Sequence, residues 1–202
     1  MTIEAQREYV WRGPTGPFDV TVDPGVFMPS STSKVLAEAL RVNPGETVVD
    51  SGCGCGVLSL VAARLGAAKV IGTDFSPAAV ACAAANAQRL GLADIAEFRT
   101  GHLMEPVDGT KADVVIADVS GIPDAVALVT GWFPDGKGGG RSGAELPVEM
   151  LGQVAEHLAP GGRVYLPTGT IQDDEAILAA AHAVFGSAME PVAKKEFPLP
   201  DV

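Results

Sequence analysis

Apolar residues along this chain fall into short blocks of two alternating periods, each closed by glycine, proline or a small polar residue. Thr47-Val48-Val49, Val70-Ile71, residues 95–99 and Val114-Val115-Ile116 are brief runs, mostly β-branched, of the kind that form strands buried on both faces. Between them lie helix-period segments. Residues 57–65 follow a glycine cluster, and a helix from Ser76-Pro77 ends at Gly91. Residues 145–158 place Leu146, Met150, Leu151, Val154 and Leu158 on one face. Ser30-Ser31-Thr32-Ser33 caps a further helix to about Leu40, and residues 170–173 cap a last one over 174–184. Strands alternating with helices predict an α/β fold with a mostly parallel, twisted sheet and helices on both faces. Upstream, residues 9–12 and 18–22 flank Gly13-Pro14-Thr15-Gly16-Pro17, the pattern of a short hairpin. It is read either as a flap over residues 1–22 that brings Tyr9, Trp11 or Phe18 to a ligand, or as a surface hairpin with buried aromatics.

The most informative stretch is 48–60, VVDSGCGCGVLSL, where a strand, a glycine loop and a helix start follow one another directly. Asp50 stands at the strand's carboxyl end, and Gly52, Gly54 and Gly56 remove the Cβ atoms that would keep a ligand from the backbone. A phosphate-binding P-loop is excluded because no lysine follows the glycines. The dinucleotide pattern Gly-x-Gly-x-x-Gly does not match Gly-x-Gly-x-Gly, which weakens a pyrophosphate reading. About twenty residues on, Val70-Ile71-Gly72-Thr73-Asp74 is a second strand ending in an acid placed to accept the hydroxyls of a ribose. A nucleoside fits this pair of strand ends without requiring a pyrophosphate.

On Asp50-Ser51-Gly52-Cys53-Gly54-Cys55-Gly56 and Asp74 the chain resembles the Rossmann-like class I S-adenosylmethionine-dependent methyltransferases. Pro24-Gly25-Val26-Phe27-Met28-Pro29 and Gly101-His102-Leu103-Met104-Glu105-Pro106 extend the resemblance, over roughly residues 23–168, to the small-domain branch that modifies rRNA guanines or protein glutamines. The resemblance implies S-adenosylmethionine as cofactor, S-adenosylhomocysteine as product and no metal. It also implies cofactor contacts at Asp50, Ser51, Gly52, Cys53, Gly54, Gly56, Asp74, Phe75, His102, Leu103 and Asp118, with Met28, Pro29 and Thr32 near the methionine end. At His102 the family usually has an acid; the imidazole is read either as an acceptor for the adenine amine or as a surface residue. Where the branch carries Asn-Pro-Pro-Tyr/Phe, this chain has Asp118-Val119-Ser120-Gly121. Aspartate accepts hydrogen bonds but cannot donate as asparagine does, so the acceptor chemistry is expected to differ. Catalytic roles are assigned to Asp118 as the orienting or proton-accepting group, to Ser120 beside it, and to Tyr9 of the flap as a cation-π shield for the sulfonium.

Bulk properties then narrow the setting. The 202 residues suit a single domain, and 14 Lys and Arg against 25 Asp and Glu give a formal net charge of -11, which disfavours a phosphodiester partner. Together with the altered tetrad, this acidity points to a small-molecule acceptor, with N- or O-methylation by in-line displacement. The alternatives are methylation of a protein side chain or ribosomal component, intramolecular displacement that releases methylthioadenosine, and a non-catalytic binding module. Cys53, Cys55 and Cys82 form neither a disulfide framework nor a four-ligand zinc set, and no apolar run reaches membrane-spanning length, so a cytoplasmic protein without a membrane role is expected. The glycine-rich stretch 134–142, with Arg141 as a carboxylate partner, is read as a lid on the substrate side or as a surface loop. The tail from Pro191 has room for one strand rather than two, so either the sequence is shortened here or the sheet edge is finished by a second copy, as in a homodimer, or by another partner.

Overall fold

Side-chain alternation along the strands decides the layers. In this computed structural model, which describes residues 5–107, 109–130 and 138–197, five parallel strands form the main sheet. They are β3 (Thr47–Ser51), β4 (Lys69–Asp74), β5 (Ala96–Thr100), β6 (Ala112–Ala117) and β7 (Leu158–Tyr165), in the spatial order β5-β4-β3-β6-β7. Val48, Val70 and Val114 point to one face and Val49, Ile71 and Val115 to the other, so each face builds its own core. The first face is covered by α1 (Ser31–Ala39), α2 (Val57–Leu65), α3 (Pro77–Arg89) and a two-stranded hairpin, β1 (Arg7–Trp11) with β2 (Phe18–Val22). The second is covered by the 103–107 turn and α5 (Glu145–Val154), on which α6 (Asp174–Phe185) packs. α4 (Asp124–Thr130) follows β6. None of the described helices is long and apolar enough to cross a membrane.

The chain runs from β3 outward through β4 to β5, then returns to lay β6 against the other side of β3. That reversal is a topological switch point, where the carboxyl ends of neighbouring strands diverge and open a crevice. Asp50 stands level with Gly72 and Ile116, and Ser51 with Thr73 and Ala117, so the three strand ends finish nearly flush beneath it. The opposite, amino-terminal end is latched by ions. The Arg163 guanidinium grips Glu46 at 2.7 and 3.0 Å and also donates to the Arg41 carbonyl; this holds the Glu46 carboxyl down at about 2.

The hairpin packs its two largest rings into the first core. Trp11 is 0% exposed and Phe18 is buried, the Trp11 indole donating to Pro14 O, while Arg64 lies 4.6 Å over the Phe18 ring and Arg89 donates to Asp19 O. Tyr9 stands opposite Val20, partly buried against the same core. Elsewhere the Pro160-Gly161-Gly162 turn is absorbed into β7 as an irregularity: Ala112 pairs with Leu158 but Val114 with Arg163, and Gly161 adopts φ +79°. α5 stops at Val154 and tightens into a 3-10 turn over Ala155–His157. Among the described residues no strand follows α6; the tail instead crosses to α1, where Lys195 bonds Glu38 at 2.6 Å.

One packing contact has a measurable consequence. A Cβ on Gly72, in β4, would stand 2.5 and 2.7 Å from the Phe98 ring and 3.1 Å from Ser59 Oγ. Overpacking of this kind costs about 1–3 kcal/mol, so Gly72→Ala is expected to lower Tm by roughly 2–12 °C in scanning calorimetry. Phe98→Leu in the same chain should recover part of the loss; an unchanged Tm for Gly72→Ala would contradict the close approach.

Candidate cofactor and acceptor site

The three glycines of the loop after β3 are all left-handed, at φ +78° for Gly52, +54° for Gly54 and +85° for Gly56, yet they serve different ends. A side chain on Gly52 would press on Asp118 O at 3.2 Å, so this glycine lets the ends of β3 and β6 come together. One on Gly56 would meet Ala83 Cβ at 2.9 Å, so this glycine seats α2 on α3. At Gly54 the nearest atom is Phe27 O at 3.8 Å, and here the loop is open to an approaching ligand. Gly52 N and Cys53 N both donate to Thr73 O, and Gly54 N donates to Asp74 Oδ2 at 3.0 Å, which fixes the loop against the end of β4.

Asp74 also accepts from Ser76 N at 2.9 Å, where Ser76 caps α3. A carboxylate has about four acceptor positions. Two are used by these amides, and the partly buried group keeps others for the paired hydroxyls of a ribose. Phe75 follows, 74% exposed, an uncovered ring beside the acid. The 101–107 turn is joined to the same strand end by Gly101 N donating to Asp74 O and by Thr73 Oγ1 donating to Leu103 O at 2.7 Å, with Leu103 itself at φ +48°. A non-glycine residue held there is strained backbone beside a ligand crevice. His102 Nε2 lies 2.8 Å from a carboxylate oxygen of Glu149 in α5.

Two further acids complete the floor. Asp50 is buried and accepts from Ser59 Oγ at 2.6 Å, while its Oδ1 has no partner; the neighbouring Ser51 Oγ is likewise buried and unpaired. Burial pushes the Asp50 carboxyl up to about 7, repulsion from Asp118 and Asp74 adds to the rise, and the Ser59 hydrogen bond opposes it. Asp118, at the end of β6, is pushed up to about 6 by burial against the opposing hydrogen bond from Ser33 Oγ, 2.8 Å from Oδ2. Burial also raises Asp74. Among the described residues no lysine or arginine is bonded to any of the three. Acids gathered in this way, with no described cation against them, favour a ligand that brings positive charge.

Ser33 and Ser59 were not singled out from the sequence. Ser33 is the third residue of the capping box that opens α1, where it accepts from Ser30 N, so its reach to Asp118 across 85 positions leaves no local signature. Thr32 sits in the same first turn, donating its N–H to Ser30 Oγ, and Met28 packs on the first core. Ser120 Oγ is buried without a partner, and the described part of the glycine-rich stretch lies directly over Ser120 to Asp124. Gly139 N donates to Ile122 O at 2.6 Å, Asp124 N to Gly140 O at 2.8 Å, and Gly138 N to Asp124 Oδ1 at 2.8 Å. Residues 138–142 are thus a bonded strap with Arg141 exposed; residues 134–137 of the expected lid lie outside the described residues.

The perturbed acids make stability depend on pH with a defined sign. Asp50 and Asp118 bind protons more tightly folded than unfolded, where an aspartate titrates near 4. The ligand-free protein therefore loses stability as pH rises from about 4 through about 7, whereas Glu46, held down at about 2, costs stability only as pH falls below about 4. Thermal unfolding is expected to show a maximum Tm on the acid side of neutrality, and Asp50→Asn to flatten the decline between pH 4 and 7. A Tm that rises steadily to pH 8 would contradict the buried, cation-free arrangement.

Residues 31–122 match the model of the family described as Ribosomal protein L11 methyltransferase (PrmA). A ribosomal protein L11 methyltransferase of Pelotomaculum thermopropionicum is 34% identical over 89% of this chain and 52% of its own length. A release factor glutamine methyltransferase of Moorella thermoacetica is 34% identical over 82% of this chain and 62% of its own length. This chain thus spans between half and two thirds of those relatives. Among solved structures, a T. thermophilus 16S rRNA methyltransferase in complex with AdoMet and guanosine superposes with a TM-score of 0.69 at 21% identity, over 91% of this chain and 46% of that one, which establishes a shared fold. The family's cofactor, S-adenosylmethionine, carries a ribose diol, a sulfonium and an ammonium group. The open backbone at Gly54, the spare acceptors of Asp74 and the cation-free acids with the orphaned Asp50 Oδ1 suit those groups. The fold and the relatives together support a class I S-adenosylmethionine-dependent methyltransferase.

Proposed function

We propose that this chain methylates a nitrogen on a protein side chain, within the ribosomal and release-factor group of substrates for which its relatives are named. This replaces the small-molecule acceptor expected from the acidic composition, which relatives named for a ribosomal protein and a release factor overturn. The acidity takes on a different meaning under this reading: a net charge of -11 repels nucleic acid but attracts a basic protein surface. Such a substrate places the work in the cytoplasm.

The observation that carries the reading is Asp118, partly buried at the switch point and held by Ser33 beside the glycine loop. When bound, the cofactor supplies an activated methyl group, so the chain has only to align the nitrogen, exclude water and accept a proton. Asp118 Oδ1 is free of the Ser33 bond and is the oxygen that would accept an N–H of the incoming nitrogen. With the cofactor bound and its methyl group passing to the nitrogen, this carboxylate would take up the proton that the nitrogen gives up; a value near 6 leaves it ionised at neutral pH yet basic enough to do so. Tyr9 belongs to the hairpin's packing and is given no part in this scheme.

Incubation with methyl-labelled S-adenosylmethionine and either purified ribosomal protein L11 or total ribosomal protein is expected to leave label in a protein band. Label confined to small molecules would sink the reading. Asp118→Asn should lower kcat by about 10²-fold or more. Ser33→Ala removes a bond that keeps Asp118 low, so the acid limb of the pH–rate profile should move upward from about 6. An unmoved limb would mean that Asp118 is not the proton acceptor.

A further inference from the structure

Asn86 is 0% exposed on α3, and all four of its hydrogen-bonding positions are filled. Its Oδ1 accepts from Thr21 N at 2.9 Å and from Thr21 Oγ1 at 3.0 Å. Its Nδ2 donates to Thr21 O at 2.8 Å and to Cys55 O at 3.0 Å. The amide therefore pairs with Thr21 as a neighbouring strand would, and with its second hydrogen it reaches into the glycine loop. The peptide between Cys55 and Gly56 is fixed at both ends, since Gly56 N donates to Cys53 O at 2.8 Å. The first half of the loop is held by β4 through Thr73 O and Asp74, whereas Asn86 holds its second half through Cys55 O.

The other end of the clamp matters equally. Thr21 ends, with Val22, the strand from which the 23–29 segment departs, and that segment returns over the loop so that Phe27 O lies 3.8 Å from where a Gly54 Cβ would stand. One buried side chain thus ties together the loop that forms one wall of the crevice and the strand that launches the other. We propose that Asn86 is a positioning residue for the cofactor: it sets the gap between the glycine loop and the overlying 23–29 segment, and through that gap the affinity for S-adenosylmethionine. It touches no ligand itself. The proposal rests on the cofactor reading given above, and its test is built so that the two fail separately.

The variants are Asn86→Ala and Asn86→Asp, the latter keeping shape and the Oδ1 acceptor while losing the donations to Thr21 O and Cys55 O. If the alanine variant does not fold, the aspartate variant carries the test. The control is Ile177→Ala, which destabilises the distant α5–α6 core without touching the clamp. Calorimetric titration with S-adenosylhomocysteine, well below each Tm, is expected to give a Kd raised tenfold or more for the Asn86 variants and within twofold of the unaltered protein for Ile177→Ala. Hydrogen exchange on the ligand-free proteins should accelerate at 52–57 and 22–28 in the Asn86 variants only. Affinity that merely follows Tm across all variants, or unchanged exchange at those two segments, overturns the proposal. If the unaltered protein binds no S-adenosylhomocysteine, the cofactor reading fails, and the positioning role falls with it whatever the exchange pattern.

Discussion

The constraint on which the rest of this structure depends is the placing of buried Asp50 and partly buried Asp118 at the paired carboxyl ends of β3 and β6. Two acids shielded from water, with a third at Asp74 and no basic residue bonded to any of them among the described residues, cost the ligand-free fold electrostatic energy. The surroundings limit that cost without removing it. Ser59 and Ser33 each give one hydroxyl, and Gly54 and Ser76 give amides to Asp74, so every acid is hydrogen-bonded but none is neutralised. A site left in this condition discriminates by charge before it discriminates by shape. Gly52 is what makes the arrangement possible, because any side chain there would push the two strand ends apart.

Around this floor the walls are made by segments that are distant in sequence and short of regular structure. The 23–29 segment is launched by β2, which is fastened to α3 through Asn86, and the 101–107 turn hangs from Thr73 and Asp74. On the acceptor side the strap 138–142 lies on Ser120 to Asp124, at contacts a Cβ would fill, so its glycines serve close approach of two backbones as much as flexibility. The hairpin contributes by anchoring rather than by covering. Its two largest rings are spent on the core, and Arg64 and Arg89 close its outer edge.

What could be read from the sequence is what local chemistry dictates. The alternating glycines had to be left-handed, Ser76-Pro77 had to start a helix, and strands of β-branched residues bounded by Asp50 and Asp74 had to end at a crevice; all of these stand in the structure. What could not be read depends on partners far along the chain. Ser33 looks like one of four capping residues until β6 brings Asp118 to it, and Asn86 looks like an ordinary polar position in an alanine-rich helix until Thr21 and Cys55 arrive. α4 was missed because Asp124 to Thr130 is too short to show a helical period and carries exposed Leu128 and Val129. Proline and two glycines at 160–162 ordinarily end a strand, yet the ladder resumes at Arg163 because Glu46 and the Arg41 carbonyl hold that side chain in register.

The misreading of the acceptor has a physical origin of its own. Net negative charge was taken to narrow the partner to something small, because nucleic acid is repelled. Charge of one sign excludes only partners of the same sign, and it draws a basic protein as readily as it draws a cationic metabolite. The acids at the strand ends add to that preference locally, since a nitrogen that gains positive charge as its N–C bond forms would be stabilised beside Asp118, which would take up its proton. Under the proposed reading, surface acidity and the raised carboxyl at the end of β6 would act in sequence on one substrate, the first at long range on approach and the second at hydrogen-bonding distance during transfer.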